Sequence, residues 1–165
     1  MTRWIRFLSA VVGASTRPTL SSLDEECLLT FRAWPTDADL AIVNHAAIMS
    51  LMEVGRIDLM ARSGFLKLAI RNGWSVPVRA INVEFERPAK PLQRLTLSTR
   101  LVFMDEQWVY LRHRFTRAGK SVASAIVQAT IRRGREPVSH QRVLEMIGLP
   151  YRWESAAPRL GGTPG

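Results

Sequence analysis

The amino-acid sequence predicts an α+β fold, a five-stranded antiparallel sheet with one long buried helix. Two observations predict it. Apolar residues cover more than one face of the stretch 46–63, as they do in a helix that is buried along much of its surface. One segment of strand character precedes this stretch and four follow it, and short turns separate the last four.

The first strand spans Leu28 to Ala33, and the loop after it carries Asp37 and Asp39. Asn44 is a good N-cap for the long helix, because its side-chain oxygen can accept a hydrogen bond from an N–H group of the first turn. Gly64 then ends the helix as a left-handed cap.

Alternating apolar and polar side chains mark the strands that follow the helix. The four segments are 76–88, 95–103, 108–115 and 122–131. The last is a near-continuous apolar run, which is typical of a central strand, and the short turns suit antiparallel neighbours. Ser139 begins a final short helix that ends at Gly148.

The composition indicates one domain. With 165 residues, of which 47% are hydrophobic and 22% charged, the chain is long enough for one well-buried domain and too short for two comfortable ones. We expect that domain to span residues 23–150. Residues 151–165 end in a stretch rich in Pro, Gly and Ala, which predicts a flexible tail.

Residues 1–22 predict an amphipathic N-terminal segment. Basic residues precede a short apolar run in which the apolar side chains recur at helical spacing. The run is much too short to span a bilayer. We expect a helix that lies on the domain or on a membrane, with peripheral membrane contact through residues 1–14; a weak signal peptide is the alternative.

The net charge of +9 raises the question of nucleic acid, but the 23 Lys and Arg residues are scattered. The sequence holds no basic run of five or six and no aromatic-basic ribonucleoprotein motif, so a nucleic-acid partner is not expected. A basic surface of this kind favours an acidic small molecule, an acidic carrier protein or an anionic membrane.

The reactive residue types exclude several kinds of site. Cys27 is the one cysteine, so no disulfide is expected within the chain. We expect its side chain to be a small buried hydrophobe, in a protein of the reducing cytoplasm. The three histidines lack metal-ligand spacing, and no Gly-x-Ser-x-Gly motif is present, which argues against a metal site and a serine hydrolase. We expect His113 to be a satisfied core residue and His140 to lie on the surface.

The segment before the long helix places a carboxylate next to a helix start. N–H groups at His45 or Ala46 could polarise a carbonyl oxygen, while Asp37 acts on a water molecule. A role for Asp37 in capping the turn is the structural alternative. Asn44 caps the helix in either case, and a neutral His45 ring could donate a hydrogen bond to a substrate oxygen.

The segment Trp34 to Arg56 resembles the thioesterase-like branch of the hot-dog superfamily, related to 4-hydroxybenzoyl-CoA thioesterases. Members read roughly W-P-T-D-x-D-x-N-x-H-x-N-N-x-x-Y before a helix that carries an acidic residue followed by x-G-R. The matching residues are Trp34, Pro35, Thr36, Asp37, Asp39, Asn44, Glu53, Gly55 and Arg56. The chain is one residue shorter between Asp39 and Asn44; the family's His falls near Ile42, and His45 stands where a second Asn is usual.

The resemblance implies a hot-dog fold, in which the curved sheet wraps around the central helix. It implies that Asp37 is the catalytic carboxylate, with Asn44 and His45 at the helix start. In some branches a helix-borne acid is the base, which makes Glu53 a second candidate; an i, i+3 ion pair with Arg56 is its structural alternative.

The resemblance also implies a homodimer or dimer of dimers, with sheets that join and an acyl tunnel between subunits. Gly55 would permit close approach of another backbone there. Arg79, Asn82 and Arg87 are then candidate second-subunit contacts, and Ala46, Arg56, Arg79 and Asn82 are the expected substrate-binding residues.

The sequence therefore predicts an acyl thioester hydrolase, acting on acyl-CoA or acyl-ACP without a metal or an organic cofactor. A non-catalytic acyl-thioester-binding or membrane-associated scaffold is the alternative, because the family's His is missing and His45 replaces an Asn. A hot-dog dehydratase is disfavoured, since His45 lacks an identifiable matched acid on a partner strand.

Overall fold

The structure, a computed structural model, describes residues 13, 16–39 and 41–160. In chain order the strands are β1 Cys27–Arg32, β2 Ala38–Asp39, β3 Ile42–Val43, β4 Val78–Phe85, β5 Arg94–Met104, β6 Val109–Arg117, β7 Lys120–Ala129, β8 Arg132–Arg133 and β9 Glu136–Pro137. The helices are α1 His45–Arg62, α2 Phe65–Asn72 and α3 His140–Ile147. The main sheet is antiparallel and five-stranded, in the order β1-β5-β6-β7-β4, and α1 packs against it. The predicted α+β architecture is confirmed.

The inner face of the sheet is built by alternate residues of neighbouring strands. On β5 and β6 the aligned inner pairs are Leu97 with Phe115, Thr99 with His113, and Leu101 with Leu111. All six side chains are buried. The period-two pattern of the sequence therefore set the register, because a slip by one residue would turn the apolar set toward solvent.

Helix α1 begins and ends where the sequence indicates. The Asn44 side chain caps its start, and Gly64, with φ of 79°, follows its end. Buried residues cover most of its surface: Ile48, Leu51, Met52, Val54, Gly55, Ile57, Asp58 and Leu59. A helix of this kind belongs in the middle of a core, as predicted.

Gly55 lets α1 lie directly against β5 of its own chain. A Cβ atom at this position would come within 2.7 Å of Cδ2 of Leu97 and closer still to Oγ1 of Thr99. A larger residue at this position would require the Thr99 and Leu97 side chains to shift. The expectation that Gly55 receives the backbone of a second subunit is therefore wrong, since its open side faces its own sheet.

Helix α2 was not predicted from the sequence. Phe65 and Ala69 are its buried residues, and Phe65 stacks on Trp74 with ring centroids 6.3 Å apart. Gly73, in the left-handed conformation, ends the helix. Two tight caps thus confine a short helix that covers one end of the core.

The packed domain extends beyond the expected boundaries of 23 and 150. Leu20 is 3% exposed and its N–H donates to the carbonyl oxygen of Arg62. At the other end Trp153 packs against the core, and the N–H of Glu154 donates to the carbonyl oxygen of Val102. Trp153 and Glu154, which were predicted to belong to a flexible tail, are therefore held against the domain.

His140 is a buried residue, so the expectation of a surface position is wrong. Its side chain is 2% exposed, and Nδ1 lies 2.6 Å from the carbonyl oxygen of Asp105. The amphipathic segment predicted for residues 1–22 falls largely outside the described residues. Within the described ranges, no helix has the length and apolar character needed to cross a membrane.

Candidate active site

The loop between β1 and α1 holds the Asp37 carboxylate in a short 3-10 turn. Pro35 starts this turn, Pro35–Asp37, and fixes its first φ angle. Oδ2 of Asp37 accepts a hydrogen bond from the N–H of Trp34 at 2.9 Å. The carboxylate therefore does cap the turn, as the structural alternative proposed.

Backbone contacts attach this loop to the start of α1. The N–H of Asn44 donates to the carbonyl oxygen of Asp37 at 2.8 Å, and Ala38 pairs with Val43 in the β2–β3 ladder. The loop also reaches the segment after β4, because Val43 donates to the carbonyl oxygen of Ala89 at 2.8 Å. Asp37 is thus placed beside the helix N-terminus.

The N-terminus of α1 presents N–H groups to solvent. The Oδ1 atom of Asn44 accepts from the N–H of Ala47 at 2.7 Å, which confirms the predicted cap. His45 and Ala46 precede Ala47, both are exposed, and no partner for their N–H groups occurs among the described residues. Two adjacent donors at the positive end of a helix are suited to bind an oxyanion.

A cleft of about 240 Å³ opens beside this helix start. The ring of His45 forms one wall and lies against Phe85, with centroids 4.1 Å apart and an angle of 32° between the rings. Arg87 lines the cleft as well; its Nη1 donates to the carbonyl oxygen of Ser121 at 2.9 Å. Sequence reasoning did not place Phe85 here, although an aromatic residue at the end of an edge strand was a usable signal.

The residues predicted farther along α1 do not join this cleft. Glu53 is exposed and Arg56 is partly buried, roughly 12 Å or more along the helix axis from His45. The expected ion pair between them is not formed within the described part of the chain. Glu53 acts on Arg56 only at longer range: burial lowers the pKa of Arg56, and the Glu53 carboxylate opposes that shift. The backbone of Asp37 meets the start of α1, where Asn44, His45 and Ala46 lie, although of these four residues only His45 lines the cleft. Glu53 and Arg56 lie apart from them.

Arg79 and Asn82 lie on β4, an edge strand of the sheet. Neither lines the cleft. Asn82 aligns with Ile126 of β7, and Arg79 is exposed beside a register shift between Val78 and Ala80. Within one chain, therefore, they are not part of the candidate site.

His113 lies at the centre of the inner sheet face, as expected for a core residue, but only one ring nitrogen is satisfied. Nδ1 is 2.9 Å from Oγ1 of Thr99, whereas Nε2 has no hydrogen-bond partner within the described chain. Burial, together with the nearby Arg56 charge, lowers the pKa of His113 to about 3. With so low a pKa the ring is neutral at pH 7 and is too weak a base to act as a general base there.

A buried carboxylate that was not predicted as a site residue, Asp58, lies on α1 away from the cleft. Asp58 is fully buried; Nη1 of Arg17 lies 2.5 Å from its Oδ1, and Arg62 lies 3.7 Å from its Oδ2. Beside this cluster Cys27 is buried as predicted, and burial raises the pKa of its thiol to about 11. The thiol is therefore protonated and inert, and the Asp58 cluster ties residue 17 to the helix.

No group of three or more His, Cys, Asp or Glu side chains in the described ranges has the geometry to hold a metal ion. The candidate site consists instead of one carboxylate, two backbone N–H groups and an imidazole. These groups can position a water molecule and stabilise negative charge on a carbonyl oxygen.

Comparison with known proteins identifies the family of the chain. A family model described as "Thioesterase-like superfamily" matches residues 33–144, which is more than half of the chain and includes the whole Asp37 loop and α1. The chain belongs to the thioesterase-like superfamily. This member is 28% identical over 102 residues to a probable thioesterase of Saccharomyces cerevisiae, a match that covers 59% of the chain and 44% of the yeast protein. The match thus spans less than half the length of that relative.

Solved structures show that this superfamily member has the hot-dog fold. A probable thioesterase of Bartonella henselae is similar with a TM-score of 0.64 and 21% identity, over 70% of this chain and 98% of that one. The 1,4-dihydroxy-2-naphthoyl-CoA thioesterase of Synechocystis is similar with a TM-score of 0.65 and 12% identity, over 74% of this chain and 95% of that one. At such low sequence identity, the similarity to these two structures shows a shared fold and nothing more.

Proposed function

We propose that this chain hydrolyses acyl thioesters at the N-terminus of α1. The observation that carries the proposal is the 2.8 Å hydrogen bond from the N–H of Asn44 to the carbonyl oxygen of Asp37. It keeps the backbone of Asp37 at the start of α1, where the exposed residues His45 and Ala46 lie. Membership in the thioesterase-like superfamily and the thioesterases named above support the same chemistry.

In the proposed reaction the thioester carbonyl oxygen accepts hydrogen bonds from the N–H groups of His45 and Ala46. Asp37 takes a proton from a water molecule while the water oxygen forms a bond to the carbonyl carbon. The tetrahedral oxyanion is stabilised by the two N–H groups and by the helix dipole. When it collapses, the carbon–sulfur bond breaks, and the proton held by Asp37 goes to the leaving thiolate.

His45 and the cleft would position the substrate. The His45 ring lies against Phe85, and a ring N–H can donate one hydrogen bond to the thioester without taking part in proton transfer. Arg87 lines the same cleft, but Glu86 lines it too and lies 3.7 Å from Arg87, so the positive charge that could attract an anion is the overall charge of +9. We infer that the carrier is anionic, coenzyme A or an acidic acyl carrier protein.

We also infer that the active form is a homodimer or a dimer of dimers. Strand β4 is an edge of the sheet, and at its ends Val78 and Phe85 are 40% and 44% exposed. An open edge with exposed apolar side chains is readily paired with another strand. Such pairing would bring Arg79 and Asn82 of a second protomer toward the site. A monomeric mass in light scattering at micromolar concentration would contradict this inference.

A screen of thioesters tests the activity. Release of free thiol is followed with acyl-CoA substrates from acetyl to palmitoyl, and the preferred chain is repeated on acyl carrier protein. Saturable hydrolysis of at least one chain length is expected. Saturable binding with no thiol release would instead indicate the acyl-binding scaffold, and preference between the two carriers would identify the natural one.

A reducing cytoplasm, the proposed location, is compatible with the protonated thiol of Cys27.

A further inference from the structure

The loop between β4 and β5 contains a tight turn with an exposed leucine in a strained conformation. The N–H of Gln93 donates to the carbonyl oxygen of Lys90 at 3.4 Å, which places Pro91 and Leu92 at the two central positions of the turn. The φ angle of Leu92 is 64°. A positive φ at the second central position normally selects Gly or Asn, because a larger side chain crowds the backbone there. Leu92 is nevertheless 58% exposed, so burial in the core does little to offset the strain.

A second large apolar residue, Trp34, lies on the neighbouring stretch of backbone. The N–H of Ala33 donates to the carbonyl oxygen of Gln93 at 3.0 Å, and the N–H of Leu92 donates to the carbonyl oxygen of Ala33 at 2.6 Å. Trp34 follows Ala33 directly and is 56% exposed. Single exposed apolar residues are ordinary, whereas large ones on adjacent backbone indicate an interaction surface.

Exposed cations flank these two residues. Arg32 of β1 and Arg94 of β5 lie directly opposite each other in the antiparallel ladder, and both are exposed. Like charges in such a pair destabilise a sheet. Lys90, at the start of the turn, is exposed as well. The nearby carboxylate of Asp37 accepts a hydrogen bond from the N–H of Trp34, and none of the three cations forms an ion pair with a residue in the described ranges.

We propose that these five residues, Arg32, Trp34, Lys90, Leu92 and Arg94, form a patch that docks on an anionic lipid bilayer. The indole and the leucine enter the headgroup region, and the three cations contact lipid phosphates. Tryptophan is favoured at the membrane–water interface, and Lys and Arg are attracted to anionic lipids.

The bilayer accounts for both unfavourable features of the patch. Lipid would cover the Leu92 side chain that the strained turn exposes, and phosphates between Arg32 and Arg94 would offset the repulsion of the two guanidinium groups. An acidic protein would need the cations but not the two apolar side chains, and neither Trp34 nor Leu92 lines the cleft beside α1. The patch is separate from the membrane contact expected of residues 1–14.

The experiment floats the full-length protein with vesicles of equal parts phosphatidylcholine and phosphatidylglycerol, and separately with vesicles of phosphatidylcholine alone. The wild type is expected to bind the anionic vesicles on the order of 10²-fold more tightly, the scale of three cations at an anionic surface. High salt should remove most of that preference, because it screens exposed charges.

Two variants test the patch itself. Leu92→Gly removes the apolar side chain and suits the positive φ, so the turn should stay folded while vesicle binding weakens by roughly 10-fold or more. Arg32→Gln combined with Arg94→Gln should remove most of the preference for anionic lipid without lowering the melting temperature, because a repulsive pair is lost. Ile70→Gln and Arg71→Gln are the matched controls on α2; Ile70 is 75% exposed and Arg71 is exposed, and both variants should bind like the wild type.

Equal affinity of the wild type for the two kinds of vesicle, or no binding to either, would overturn the proposal without any variant. Unchanged binding by a folded Leu92→Gly protein would place the membrane contact elsewhere, such as residues 1–14, and would overturn it too. Absent vesicle binding, two results would name another occupant: binding of acyl carrier protein that depends on Arg32 and Arg94, or a smaller mass of Leu92→Gly in light scattering, which indicates a second copy of the chain. Vesicle binding requires no thioester, so failure of the proposed hydrolysis would leave this test unaffected.

Discussion

The N–H of Asn44 donates a hydrogen bond to the carbonyl oxygen of Asp37 across 2.8 Å, while the Asn44 side chain caps α1 through Ala47. The backbone of Asn44 therefore connects the Asp37 loop to the helix N-terminus. Its side chain accepts a hydrogen bond from an N–H group of the first helical turn. This leaves the earlier N–H groups of the first turn for a substrate oxygen. The proposed chemistry depends on this arrangement.

The role of His45 is tested by two substitutions. If the neutral ring donates a hydrogen bond to the thioester, His45→Asn should retain much of the activity, because an amide can donate the same bond. His45→Ala should lower turnover by roughly 10- to 100-fold, the scale for one oriented donor. Rates of thiol release are compared at saturating substrate.

Two other outcomes for His45 are informative. Wild-type rates in both variants would show that His45 only packs on Phe85. Equal and complete loss in two folded variants would mean that His45 transfers the proton and that Asp37 is not the base.

Gly55→Ala tests the contact between α1 and β5. Alanine favours a helix over glycine by about 1 kcal/mol, but its Cβ would overlap side-chain atoms of Thr99 and Leu97. Overpacking costs about 1–3 kcal/mol, so we expect a net loss in the free energy of unfolding. Urea unfolding measures it.

Thr99→Ala has a cost of its own, because it removes the hydrogen bond to His113. In the Thr99→Ala background, however, adding Gly55→Ala should cost less than it does in the wild type, since the nearest atom has been removed. If Gly55→Ala is instead as stable as the wild type or more stable, α1 does not lie this close to the sheet.

His113 predicts a pH dependence of stability. Its pKa is about 3 in the folded protein and 6.5 ordinarily, so between these values the unfolded chain binds a proton that the native protein does not. Stability due to the neutral ring is therefore complete above pH 6.5 and is lost as the pH falls toward 3. The slope is about 1.4 kcal/mol per pH unit for one proton.

We expect His113→Gln to flatten this slope between pH 5 and 6.5, measured by urea unfolding at a series of pH values. The carboxylates of Asp24, Glu25 and Glu154 have lowered pKa values, so their effect begins at lower pH. Identical slopes for wild type and variant would show that the His113 ring is not held neutral.

Local patterns predicted the main elements. The cap at Asn44, the end of α1 at Gly64 and the period-two strands depend on residues close together in the sequence, so they could be recognised there. Helix α2 was missed because its eight residues show only two turns of pattern between two glycines.

The errors concern long-range contacts. His140 follows the N-cap Ser139 and looks like a surface residue, but its partner is the carbonyl oxygen of Asp105 in a distant turn. Gly55 fits a subunit interface by its size, and only the fold shows that Thr99 lies opposite. The partnering of Asp58 by Arg17 likewise joins residues far apart in the chain.

The most direct test of the account is thiol release by the Asp37→Asn variant. Its amide oxygen can still accept the hydrogen bond from Trp34, so the turn should stay folded while the base is lost. Asp105→Asn is the matched control, because Oδ1 of Asp105 caps a turn through Gln107 and Trp108 away from the site. We predict that Asp37→Asn lowers kcat by on the order of 10²-fold or more with an unchanged melting temperature, while Asp105→Asn stays near wild type. Near-wild-type turnover by a folded Asp37→Asn protein would contradict the account and make Glu53 the residue to examine.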